Sequence, residues 1–149
     1  MNDKLDVEVV FPASMEYVPS IREFIRESLY TKDYSEKEAF RTEIMVDELM
    51  SNSVIYGSSG ISDKIKLNFS FDSDKFECIV EDYGVNPEHK KRLEQVYKSL
   101  NDDKDIDGIK KGLSLVKLIS DDISLDISKD GDTEIKVTKY KNRRDIENE

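Results

Sequence analysis

Glu48 and Asn52 stand four residues apart in the run from Ile44 to Gly57. On a helix turning ~100° per residue they lie about 40° from each other, and Ile44, Met45 and Ile55 fall within about 60° of Glu48. A carboxylate takes up protons or ligates cations, and a carboxamide donates, accepts or ligates. Both are aimed where their neighbours predict a core. Burying such groups without partners costs several kcal/mol, so something polar is expected to meet them, either a loop hydrogen bond or a metal-bound ligand.

Two other stretches carry polar chemistry. Asp82-Tyr83-Gly84 places a short acidic acceptor at the end of an alternating run, and Gly108-Ile109-Lys110-Lys111-Gly112 precedes an apolar helical pattern. Taken singly, these have ordinary readings as a turn and as a loop or cap. Tyr83 is either a packing residue or part of a site. His89, the only histidine, lies in a polar stretch and reads as a surface residue rather than a catalyst or ligand. Cys78, the only cysteine, alternates with Phe76 and Val80 and reads as a small buried hydrophobe in a strand; an intramolecular disulfide and a cysteine-rich metal site are excluded.

The elements that must position these groups follow from periodicity. Leu5, Val7, Val9 and Phe11 alternate as a half-buried strand that Pro12 ends. Ile21, Phe24, Ile25 and Leu29 recur at helical spacing, in a helix starting at Ser14 or at Ser20, where Ser20 and Glu23 fit a capping box. Ser35 and Glu38 fit a second box, opening a long helix to about Tyr56 with Gly57 as its cap and Ser58-Ser59-Gly60 as the loop beyond. Ile65, Leu67, Phe69 and Phe71 alternate in one strand, and Phe76, Cys78 and Val80 in the next, across the turn Asp72-Ser73-Asp74. One wet face and one face against helices is expected for such a sheet.

From Asp82 to Asp107 the chain turns polar. Asn86-Pro87 opens it, a short helix around Glu88 to Leu100 carries Leu93, Val96, Tyr97 and Leu100, and Asn101 to Asp107 is almost wholly charged. A polar excursion of that length is usually functional or disordered. Gly112 to Ser120 reads as a helix. Ile123, Leu125 and Ile127 form a strand, Asp130-Gly131 a hairpin turn, and Ile135 and Val137 a last strand. The expected organisation is a single domain over 1–140 with a lid at about 85–111 and a disordered charged tail at 141–149.

Composition narrows the function classes. The chain has 149 residues, 37% hydrophobic and 38% charged, with a formal net charge of −10. Length suits one domain. The acidic balance argues against direct nucleic-acid binding, with Lys90, Lys91 and Arg92 as one small basic cluster. No apolar run approaches a ~20-residue membrane span, and the first residues lack a signal-peptide core, so a cytoplasmic location is expected.

Order and layout together resemble the ATP-binding superfamily of gyrase, Hsp90 and histidine kinases, and within it the anti-sigma factor serine kinases of bacteria, over roughly residues 5–140. The fold the resemblance implies is α+β: a two-layer α/β sandwich, with a mixed, mostly antiparallel sheet and helices on one face. Glu48-Leu49-Met50-Ser51-Asn52 matches the N-box, in which the Asn oxygen coordinates Mg²⁺ and the Glu is the general base. Asp82 and Gly84 match the first glycine box, whose Asp accepts from the adenine amino group. Gly108, Lys110, Gly112 and Leu113 fall in the second, where Gly112-Leu113-Ser114-Leu115-Val116-Lys117 is similar to the histidine kinase run and the glycine admits phosphate at a helix N-terminus. Thr133 falls where the family often has a threonine near the adenine. Two positions depart from the pattern: Asn86 ends the first box, and Lys110 occupies a glycine position of the second. The length leaves room for the ATP domain and nothing else. The implied function is a homodimeric regulator that binds ATP and Mg²⁺, holds a sigma factor and phosphorylates an anti-anti-sigma protein on serine. A non-enzymatic binding module with the same fold and a decayed nucleotide site is the rival reading.

Overall fold

The computed structural model describes residues 4–56, 63–82, 87–100, 108–128 and 132–141, with the side chains of Pro87 and His89 left aside. The expectations for Gly57, the loop after it, Tyr83, Gly84, Asn86, the His89 side chain, Asn101 to Asp107, Asp130-Gly131 and the tail past Lys141 lie outside the described residues.

Among the described residues five strands form one sheet: β1 (Leu5–Pro12), β2 (Lys64–Phe71), β3 (Lys75–Asp82), β4 (Asp122–Ile127) and β5 (Thr133–Tyr140). Their order is β1-β2-β3-β5-β4, so the last strand enters between its two predecessors. All four pairings are antiparallel. Alternation was the right guide to facing. Ile65, Leu67, Phe69 and Phe71 of β2 and Phe76, Cys78 and Val80 of β3 turn inward and are buried. Outward residues carry charge, with Lys66 on Glu8 at 3.2 Å and Lys75 on Glu77 at 2.8 Å. The turn between β2 and β3 is held by Asp72, whose Oδ1 accepts from the N–H groups of Asp74 (2.8 Å) and Lys75 (3.0 Å). Those two donors keep the Asp72 carboxyl below the usual carboxylate range.

Among the described residues four α-helices accompany the sheet: α1 (Val18–Tyr30), α2 (Glu36–Ile55), α3 (Pro87–Lys98) and α4 (Gly108–Ile119). Neither of the two expected starts opens α1, whose N-cap is Tyr17 with no side-chain cap bond, but Ser14 has a capping role just before it. Ser14 caps a 3₁₀ turn at Met15–Tyr17 that runs directly into α1, and its hydroxyl accepts from Glu16 N–H at 3.3 Å. The Ser20 and Glu23 box does not open the helix, because Pro19 sits in its first turn and Ser20 is already inside it. Ser35 caps α2 as expected, accepting from Glu38 N–H at 3.2 Å.

α2 is the central helix, packed against α1, α4 and the strands β2 and β3. Met45, Val46, Leu49 and Met50 are buried along it, while Ile55 in its last turn is exposed, contrary to the core position its helical phase implied. Its N-terminal end is tied to β5 by a pair that local spacing does not show. Glu38, only 1% exposed, meets Nζ of Lys139 at 3.5 Å. Its outer side is tied to α1: Arg22 Nε lies 3.1 Å from Glu43, Arg22 Nη1 3.5 Å from Asp47, and Arg26 Nη1 3.2 Å from both Glu43 oxygens. α3 packs on α4 and β4, its Leu93 and Val96 buried and its Tyr97 hydroxyl donating to Ile123 O at 3.0 Å.

One boundary differs in a way that matters. α4 begins at Gly108, a full turn before the Gly112 start that the sequence pattern indicated. Ile109, Leu113 and Val116 are all buried, so the apolar stripe runs back one turn beyond Leu113. The intervening Lys110 and Lys111 disguise it. Lys110 is therefore a helix residue, 3% exposed, and not part of a lid hinge.

Candidate nucleotide site

α2 and α4 meet where Glu48 and Asn52 face Gly112. A Cβ built on Gly112 would stand 2.7 Å from Glu48 Oε2, 3.1 Å from Asn52 Nδ2 and 3.4 Å from Asn52 Oδ1. Only a residue without a side chain lets the two helices approach this closely with both polar groups between them. Gly108 makes a similar approach one turn earlier, against the Tyr56 hydroxyl. Gly112 is the fifth residue of α4, so the unpaired N–H groups of the helix start belong to the turn before it. Its expected place at a helix N-terminus is corrected accordingly, while its close backbone approach is present.

Asn52 is 6% exposed, and its Nδ2 has no hydrogen-bond partner among the described residues. An unmet buried amide costs about 1–3 kcal/mol, which a ligand polar group would relieve. Rotating the amide exchanges its oxygen and nitrogen, so the same position can offer an oxygen to a cation. Glu48 is half-buried. Burial raises its carboxyl above the ordinary glutamate range, the charge of Asp47 adds to this, and Lys111 opposes it. A carboxylate raised in this way is better matched to proton transfer near neutral pH. Arg22, bound to Asp47, links that neighbour to α1.

The other expected residues gather at the end of β3. Asp82 and Thr133 are direct partners across β3 and β5, and both are buried, Asp82 to 4% exposure. A short acceptor and a hydroxyl thus lie side by side where two inner strands of the sheet meet at their ends. Leu113 is buried in the core beside Gly112. Gly84 lies outside the described residues. A cleft of about 560 Å³ opens beside Glu48, lined also by Gly108, Lys111, Gly112, Ser114, Leu115 and Leu118.

Residues 11–139 match the histidine kinase-like ATPase domain family. The chain belongs to this family. Similar solved folds accompany the match. One is the SiaB–SiaC complex from Pseudomonas aeruginosa, with a TM-score of 0.69 and 12% identity over 91% of this chain and 89% of the other. Another holds the RsbU and RsbW domains of Rv1364c from Mycobacterium tuberculosis, with a TM-score of 0.63 and 13% identity over 91% of this chain. This ATPase-type domain spans only 32% of that mycobacterial chain. A search of curated protein sequences found no match.

The residues present fit the group the family implies. The histidine kinase-like domain has an orphaned buried amide at Asn52 and a glycine surface at Gly112, on the same side as Glu48. Among the described residues no three His, Cys, Asp or Glu side chains gather as a metal cage. Magnesium in nucleotide sites commonly takes one or two protein ligands, with phosphate oxygens and water supplying the rest, so a single Asn is a compatible donor. Three features of the domain carried no local sequence signal: the Glu38–Lys139 pair, the Arg22 and Arg26 ties to Glu43, and the Gly108 contact with Tyr56. All three join distant elements. No helix among the described residues is long and apolar enough to cross a membrane.

Proposed function

We propose that this domain is an anti-sigma-type regulator that binds ATP with Mg²⁺ and transfers the terminal phosphoryl group to a protein hydroxyl. The convergence of Glu48 and Asn52 on Gly112 carries this reading, because it keeps a base and a ligating amide on an otherwise buried helix surface. ATP with Mg²⁺, when bound, supplies an electrophilic phosphoryl group with its charge partly neutralised. Asn52 would hold the cation, Asp82 would accept from the adenine amino group with Thr133 beside it, and Gly84, Gly108, Lys110, Gly112 and Leu113 would form the phosphate-side wall. Glu48 takes the proton from the acceptor hydroxyl. Arg22 and Lys111 act on Glu48 only by charge and position, through Asp47 and across the cleft.

The likeness in fold to a complex of SiaB with SiaC and to an RsbW domain supports a protein partner rather than a small-molecule acceptor. In this reading the acceptor is the serine of an anti-anti-sigma protein, a sigma factor is the second partner, and the domain works in the cytoplasm as a homodimer. The deciding experiment is calorimetric titration with ATP, with and without Mg²⁺, of wild type and Asp82→Asn. Wild-type binding that weakens by about 1–3 kcal/mol in the variant, followed by serine phosphorylation that Glu48→Ala abolishes, supports the kinase. No binding at millimolar ATP removes it. The second reading, a non-enzymatic partner-binding module, is favoured by one observation: Lys110 stands at a family glycine position and is buried within α4.

A further inference from the structure

We infer that Lys111 is a further catalytic residue of this site, its ammonium group meeting the terminal phosphate and holding that group's charge while it passes to the acceptor. This rests on the kinase reading above. The family pattern singles out the neighbouring Lys110, because it stands at a glycine position, but the helix separates the two lysines. α4 begins at Gly108, so both already turn with it. At ~100° per residue, Lys110 lies about 160° around the axis from Gly112, the residue that faces Glu48 and Asn52. It is 3% exposed, on the far side of α4 from that contact. Its backbone can belong to the phosphate-side wall, but its charge cannot. Lys111 is exposed and lines the same cleft as Glu48, Gly108 and Gly112.

Charge leads to the same residue. Asp47 and Glu48 bring negative charge to a place that must accept a phosphate, and the chain as a whole carries −10. The nearby guanidinium groups are already engaged: Arg22 lies 3.1 Å from Glu43 and 3.5 Å from Asp47, and Arg26 lies 3.2 Å from Glu43. Among the described residues that line the cleft, Lys111 is the one cation. Its charge reaches Glu48, where it opposes the upward pull of burial and of Asp47 on the carboxyl. A cation within reach of the base is also within reach of the phosphorus attacked by the hydroxyl that the base deprotonates. The unpaired N–H groups in the first turn of α4 favour an anion at the same end of the helix.

In the transfer, the acceptor oxygen forms a bond to the terminal phosphorus and its proton goes to Glu48. The electron pair of the breaking phosphorus–oxygen bond leaves with ADP. Negative charge spreads over the remaining oxygens of the moving group. Lys111 balances it from within the chain, the part that an arginine from a partner plays in some other phosphoryl-transfer enzymes.

The test compares ATP with ADP. Calorimetric titration with each nucleotide and Mg²⁺ is run on wild type, Lys111→Met and Lys117→Met, the last removing the same charge further along α4. Wild type is expected to bind ATP more tightly than ADP. Lys111→Met should lose about tenfold in ATP affinity, as loss of one charged hydrogen bond does, with ADP affinity unchanged, while Lys117→Met keeps the preference. With radiolabelled ATP at saturation and a serine peptide library as acceptor, Lys111→Met should slow transfer on the order of 10²-fold, and Lys111→Arg should restore most of it. If Lys111→Met keeps the preference for ATP, or Lys117→Met loses it equally, the contact with the terminal phosphate is overturned and the kinase reading stands. A lost preference with an unchanged transfer rate overturns the catalytic role. A wild type that binds no ATP, or binds it and transfers nothing, overturns the kinase reading and this role with it.

Discussion

Gly112 lies against Glu48 so closely that a Cβ at that position would stand 2.7 Å from the carboxylate oxygen. The helix would otherwise welcome alanine, which is favoured over glycine by about 0.8–1.0 kcal/mol in a helix interior. In Gly112→Ala the two effects oppose each other, because Glu48 and Asn52 must turn aside. Urea unfolding should show stability within ~1 kcal/mol of wild type. ATP affinity should fall by about tenfold, equivalent to ~1.4 kcal/mol. A variant that binds ATP as wild type does would show that this contact plays no part in the site.

Glu48 should also be read by pH. Its folded-state carboxyl is raised, first by burial and then by Asp47, so the protonated form is the one folding favours. That contribution is complete below the ordinary glutamate range and is lost as pH rises through the raised folded value. Glu48→Gln should accordingly be more stable than wild type at neutral pH, with the difference vanishing below about pH 4. Thermal melts across pH 4–8 measure it. In the kinase assay, Asp47→Asn should move the acidic limb of the rate profile down and Lys111→Met should move it up.

The Glu38–Lys139 pair makes a separate claim on stability. Removing one member of a buried ion pair costs about 3–5 kcal/mol, whereas replacing both with apolar groups is often neutral or better. Lys139→Met should lower the unfolding free energy by about that amount, and Glu38→Leu combined with Lys139→Met should recover most of it. A double variant no better than the single one would place the loss in packing.

Cys78 is fully buried, and burial pushes its thiol far above the ordinary range. The thiolate is the reactive form. A thiol reagent should leave the native protein unlabelled for as long as the fold persists and label it completely in urea, with rates that track global opening. Prompt native labelling, followed by mass spectrometry, would show that β3 opens locally.

Much of this was legible from residue order. Period-two alternation located every strand, since in each one face is the more buried, fully so in β2 and β3 and only partly in β4, and a one-residue slip would invert it. Glu48 and Asn52 were legible because polar groups at core-facing helical phases stand out, whereas Asp82 and Thr133 were legible through the family resemblance. What stayed hidden has physical reasons. Lys110 and Lys111 broke the visible apolar pattern of α4, although Ile109 continues its buried stripe. Ser14 and Ser20 were equally good caps by composition, and neither caps α1 because a 3₁₀ turn capped by Ser14 delivers the chain to Val18 and Pro19 in helical form. Arg22, Arg26, Lys139 and Tyr56 find their partners across elements, where no spacing rule applies. Ile55 followed the helical phase but lies in the last turn of α2, where it is exposed among the described residues.

The strand order has a consequence for how the protein is made. β5 enters between β3 and β4, and it brings Thr133 to Asp82 and Lys139 to Glu38. A ribosome-bound chain that has released everything through β4 still has a sheet of three strands, a fourth strand with no partner, and the central helix untied at its N-terminal end. The Asp82–Thr133 pairing thus waits for β5, and a chain released only through β4 lacks it.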